Sequence, residues 1–168
     1  DKNAKHWFQY TIATGEYKNL TESLGVTFHD EEHDTPNIAG PAGQAIWFED
    51  NSAFVIGDKY DYWQFDPNGV ESPKLFTDGY GRKNNTRLSM ISLIEDPEKP
   101  QAVGRPTATI KKGETLFFTT FNFKTKECGL AVKDMSKKRA VTTKLVEGPY
   151  MFANFAYSKA GKGKKEAF

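Results

Sequence analysis

At 168 residues, with 38% apolar and 14% aromatic side chains, the chain can bury the core of one domain and is too short for two large ones. Its 23 basic and 22 acidic residues leave a formal charge of +1, which excludes a global field favouring nucleic acid or an anionic membrane. The single cysteine, Cys128, excludes an internal disulfide and leaves the redox compartment open. No apolar run approaches the roughly 20 residues of a membrane-spanning helix, and Asp1-Lys2-Asn3-Ala4-Lys5-His6 is too polar for a signal peptide. The chain is therefore expected to be soluble, with cytoplasm and periplasm both open. Its abrupt start on strand-like Trp7-Phe8-Gln9-Tyr10 and its stop at Phe168 suit a piece of a longer protein.

In chain order, residues 6–12 alternate large apolar and polar side chains, as a strand with one buried face does. A turn at 13–15 leads to a returning strand over 16–21. Residues 25–43 are rich in Gly, Pro and Asx and are expected to form a loop. Four short strands follow at once: 44–48, 53–57, 60–65, and one ending Lys74-Leu75-Phe76-Thr77. Each is aromatic or β-branched and bounded by Asn, Asp, Gly or Pro, the pattern of antiparallel strands joined by hairpins. Within Asp66-Pro67-Asn68-Gly69, the Asn68-Gly69 pair predicts a tight turn with positive φ angles.

Residues 80–86 are expected to be a second loop and 95–113 a third, since neither shows helical periodicity. Strands are expected over 87–94, 115–121, 127–134 and 139–145, with a further one over 150–157. The basic stretch 159–165 reads as a solvated hairpin tip rather than a polyanion site.

An internal repeat links these segments. An aromatic strand, a Gly turn, a charged strand and a closing Leu-Thr or Phe-Thr occur at 6–21 and again at 60–77, with a looser copy over 127–148. The spacing is irregular but close to the roughly 40 to 50 residues of a propeller blade, with room for inserted loops. The expected architecture is all-β: a partial β-propeller of about three blades, each a four-stranded antiparallel meander. Residues 1–24 would be the outer half of a blade, 43–79 and 87–148 two blades, and 149–168 the start of the next.

Several stretches carry a family resemblance. Asp30-Glu31-Glu32-His33-Asp34-Thr35-Pro36, then Trp47-Phe48-Glu49-Asp50-Asn51-Ser52, Asp58-Lys59-Tyr60-Asp61-Tyr62-Trp63 and Phe76-Thr77-Asp78-Gly79 are similar to the propeller region of bacterial prolyl oligopeptidase-family serine peptidases. Residues 121–126 and the strand through Gly129 resemble it more loosely. The resemblance implies a propeller lid over a C-terminal α/β-hydrolase domain that carries a Ser-Asp-His triad and cuts short peptides. The lid limits access and can contact substrate. This chain spans only part of such a lid.

The chemistry of that hydrolase is not written here. Acyl transfer of this type needs a serine on a G-x-S-x-G elbow, and no such pentapeptide occurs. All three histidines precede residue 34, against the order Ser, Asp, His. No catalytic residue is assigned, and no cofactor is expected. The densest polar cluster is His29-Asp30-Glu31-Glu32-His33-Asp34. A helical H-E-x-x-H zinc site would need Glu where Asp30 stands, and Gly25 and Pro36 oppose a helix, so His29 and His33 are weak metal candidates. A surface loop with Asp30 and Asp34 capping turns is the plainer alternative. Glu31 and Glu32 are candidate substrate contacts: some relatives hold a peptide's N-terminal amine with propeller glutamates, although those lie in a helical insertion. Trp7, Trp47 and Trp63 are expected to pack between blades rather than to form a stacking platform.

The leading expectation is thus a non-catalytic propeller segment that controls peptide access to an active site elsewhere. Its partners would be the peptide substrate and its own hydrolase domain, with no nucleic acid and no membrane span. The rival is a stand-alone Tol-associated or WD40-like propeller module binding protein or carbohydrate; a metal-dependent hydrolase on His29 and His33 comes third. Open blade edges also predict self-association.

Overall fold

A computed structural model of the chain describes residues 5–91 and 109–152. Over those residues the protein's regular structure is mostly antiparallel β. The strands are β1 (Phe8–Thr11), β2 (Glu16–Asn19), β3 (Ala45–Phe48), β4 (Phe54–Gly57), β5 (Tyr62–Phe65) and β6 (Lys74–Leu75). A five-residue helix α1 (Tyr80–Asn84) follows, then β7 (Thr86–Met90), β8 (Thr109–Ile110), β9 (Thr115–Asn122), β10 (Cys128–Asp134) and β11 (Thr142–Gly148). They form a β1-β2 hairpin, a five-stranded sheet in the order β6-β5-β4-β3-β8 and a four-stranded sheet in the order β11-β10-β9-β7. Every pairing is antiparallel except β3 with β8. Among the described residues no sheet closes on itself.

Period-two alternation divides the five-stranded sheet between two cores. Ile46, Phe48, Ala53, Val55 and Tyr62 face the four-stranded sheet, where Leu88, Leu116, Phe118 and Ala131 meet them. The intervening Phe54, Ile56 and Phe65 face the other way, onto Phe28, with Trp7, Leu20, Leu24 and Val26 around them. Covered on both sides, β4 is buried along its whole length. Burying a side chain such as Val55, Ile56 or Phe118, each fully inaccessible, contributes about 1.5–3 kcal/mol. The Tyr62 hydroxyl, whose pKa burial raises, accepts from the Met90 N–H at 2.9 Å and ties the two sheets across the core.

Several expectations are corrected. Residues 80–86 are not a loop: α1 occupies most of them, because the Asp61 carboxylate accepts the Gly81 and Arg82 N–H groups at 2.9 Å each and so satisfies the donors of a first helical turn. Five residues are too few for periodicity to reveal. At Asn68-Gly69 only Gly69 has positive φ, 67°. Asp66 accepts the N–H groups of Asn68, Val70 and Glu71, holding a long connection open between β5 and β6. The tight turn with two positive φ angles lies at Asp78-Gly79 instead, at 60° and 69°.

The strand expected from residue 60 begins at Tyr62, since 58–61 is a turn. The third insertion contributes β8, a fifth strand the sequence reading missed. Of the strand expected at 150–157, residues 150–152 are in no strand and the rest lies outside the described residues, as do 92–108 and the basic stretch 159–165.

Candidate functional site

The site grows from the turn between β4 and β5. Asp58 and Asp61 are both buried, at 5% and 1% exposure, and a buried carboxylate is costly unless donors surround it. Asp58 has four: the N–H groups of Tyr60 at 2.6 Å and Asp61 at 2.7 Å, the Trp63 indole at 2.9 Å and Arg82 Nη2 at 2.6 Å. Asp61 has three: the Thr77 hydroxyl at 2.7 Å and the first-turn N–H groups of Gly81 and Arg82. A Cβ at Gly81 would meet the Tyr60 carbonyl and lie 2.7 Å from the Thr86 carbonyl oxygen, so only glycine lets α1 sit this close to the turn. With its ends pinned, the turn holds Lys59 and Tyr60 at the rim of both sheets.

Lys59 is where three elements meet. Its Nζ lies 3.8 Å from Glu31 Oε2 and 3.5 Å from Glu32 Oε1, both from the 25–43 loop. It also stands 4.9 Å from the centroid of Phe123, beyond the end of β9. Tyr60 contacts Phe123 edge-on at 5.5 Å, and Arg82 lies 5.1 Å above Tyr60. Phe123 in turn meets Phe121 edge-on at 5.5 Å, and Arg87 and Lys126 approach the Phe121 ring at 5.7 and 5.9 Å. The result is a continuous strip of aromatic rings whose neighbours are cations, each such contact worth about 0.5–1 kcal/mol at an exposed position. The turn after β9 is fixed by Asn122, whose Oδ1 accepts from Lys124 N and Thr125 N. A bond from Phe123 N to the Asn85 carbonyl locks it to the C-terminal end of α1.

The sequence-predicted candidates fall around this strip. Glu31 and Glu32 share Lys59, so their charges already face an internal ammonium. His29, Glu31 and His33 line one cleft of about 500 Å³ with Lys5, Asp30 and Asn37. His29 Nε2 faces Lys5 Nζ at 3.4 Å, and His33 Nε2 faces the Asn37 carbonyl at 2.9 Å and the Thr35 hydroxyl at 3.0 Å. Among the described residues no group of three or more His, Cys, Asp or Glu side chains is arranged to hold a metal ion. Asp30 caps a turn by accepting from Glu32 N at 3.0 Å, whereas Asp34 makes no such bond to a described residue.

Trp7 and Trp63 pack against the Phe28 core. Trp47 stays 37% exposed and leans on Phe54 at 4.7 Å. Among the described residues no serine hydroxyl bonds a histidine; Ser52 and Ser136 donate to Asp50 and Asp134. Among the described residues the arrangement brings together charged groups and aromatic rings.

Sequence reasoning missed Lys59, Tyr60, Arg82 and Phe123 as one group. The available signal was Asp58 at the end of an apolar strand, where a carboxylate can cap the N–H groups two and three residues on; Asp61, whose donors are 16 to 21 positions away, gave none. Comparison with protein-family models, curated proteins and solved structures found no match to the chain.

Proposed function

We propose that this chain is a non-catalytic part of the β-propeller of a prolyl oligopeptidase-like serine peptidase. In that role it controls peptide access to, and positioning in, an active site on a hydrolase domain outside these residues. One observation carries the reading: two successive sheets whose main strands run antiparallel in chain order stack face to face through a shared apolar core. Radially repeated sheets pack in this way in propellers. Trp7 and Leu20, which flank the β1-β2 hairpin, and the segment after it cover the far face of the first sheet, where the outer half of a preceding blade would lie.

Within this reading the 25–43 loop is the substrate-facing element. Glu31 and Glu32 offer two carboxylates to a peptide's terminal ammonium, and Lys59 sets the affinity by competing for the same oxygens.

The reading frame that continues from Phe168 tests the proposal. A downstream G-x-S-x-G followed by Asp and His supports it. A frame that ends without that pentapeptide overturns it in favour of a stand-alone binding module. In the full-length enzyme, reversing both charges, Glu31→Lys with Glu32→Lys, should raise KM for peptides with a free N-terminus about tenfold or more. An unchanged KM removes the two glutamates from the substrate site.

A further inference from the structure

The strip along the rim of the two sheets has more positive charge than the fold uses. Arg82 is paired with Asp58, and Lys59 with Glu31 and Glu32. Among the described residues no carboxylate lies within ion-pair distance of Lys83, Arg87, Lys124 or Lys126, all of them exposed. Two of them converge on one ring, and the other two belong to segments bonded to its neighbour. Lys83 is in α1, which is bonded through Asn85 to Phe123; Lys124 follows Phe123, and Arg87 and Lys126 both approach Phe121. The like charges of Arg87 and Lys126 on one ring repel each other, and an opposite charge would relieve that repulsion.

We propose that this strip is a docking surface for an acidic polypeptide segment, with Arg87 and Lys126 as its central contacts and Lys83 and Lys124 beside them. The molecule already contains one instance of the recognition: the adjacent carboxylates Glu31 and Glu32 meet Lys59 where it stands beside Phe123. The free cations continue that pattern past Phe121. The rings also discriminate between anions. Single-stranded nucleic acid binds such surfaces by stacking bases on open aromatic faces, whereas here Tyr60, Phe121 and Phe123 have cations or one another against them. What the strip leaves free is N–H donors, which suit carboxylates. This inference does not depend on the peptidase reading, since any acidic chain segment satisfies it.

The test is fluorescence anisotropy with the 168-residue chain and a fluorescein-labelled oligoglutamate peptide. Saturable binding that weakens as salt is added is expected. Arg87→Glu with Lys126→Glu should weaken it at least tenfold, a loss of about 1.4 kcal/mol or more. Lys137→Glu with Lys138→Glu makes the same charge change on the turn after β10 and should leave it near the parent value. If the double reversal disturbs the circular dichroism spectrum, Arg87→Gln with Lys126→Gln replaces it, with a smaller loss expected. Absence of saturable binding, equal weakening by the two double variants, or tighter binding of oligothymidylate than of oligoglutamate would each overturn the proposal.

Discussion

Two aspartates three positions apart have related duties at the residue scale. Asp58 closes its own turn and anchors Arg82; Asp61 reaches forward to Thr77 and the start of α1. Removing Asp61 strands two N–H groups and a hydroxyl where water has little access. Asp61→Ala is therefore expected to cost about 3 kcal/mol, read as a lower urea midpoint at unchanged slope. Arg82→Lys should cost less than half as much, because the Arg82 side chain is 47% exposed, lysine keeps a cation beside Asp58, and Asp58 retains three other donors. If the two variants were equally destabilised, the proposed pinning of the turn would be wrong. The sequence reading put Asp58 between two aromatic strands and Asp61 inside the strand expected over 60–65, and did not show that both side chains turn inward. A turn-capping aspartate and a solvated one look alike until the partner N–H groups, here from residues 20 and 21 positions further on, are brought close by the fold.

Between elements, the clearest link is a lysine on the wrong face. Alternation along β10 puts Gly129, Ala131 and Lys133 toward the five-stranded sheet, and the Lys133 side chain is only 6% exposed. It is tolerated because Nζ donates to Asp78 Oδ2 at 2.8 Å and to the Ala140 carbonyl at 2.7 Å, with the Phe76 ring 5.5 Å away. Asp78 also accepts from Thr142 N at 3.0 Å. The tight turn after β6 is thereby fastened to both β10 and β11. Lys133→Ala should cost about 3 kcal/mol, through lost packing and an Asp78 stripped of its cation. Lys133→Met, which keeps the length of the chain, should cost clearly less. Thermal denaturation of the two variants decides between them, and equal losses would show that packing around the methylenes is immaterial. Strands were the legible part of this chain, since β3, β4, β9 and β10 announce themselves by alternation or by an unbroken apolar run. The short pieces were not: α1 depends on a remote carboxylate, and β8 on an edge offered by β3.

Taken whole, the molecule has its two sheets sealed against each other, while the far side of the four-stranded sheet is less well covered. Phe117, Leu130 and Val132 are half-buried there, Val146 is 41% exposed, and β11 has one unpaired side among the described residues. A surface and an edge of this kind favour pairing with a second copy. Light scattering should show dimers or larger species at high concentration, and a clean monomer there would count against it. The parallel contact of Trp47 with Thr109 and Phe48 with Ile110 bears on a different matter, the order of biosynthesis. As the ribosome releases the chain, β3 to β6 emerge together and can zip by neighbouring contacts, which form fastest. The residues that clasp the outer side of β3 are translated long afterwards. In the interval the nascent sheet exposes an unguarded flank, and it is during those seconds of translation that a chaperone would have the most to do.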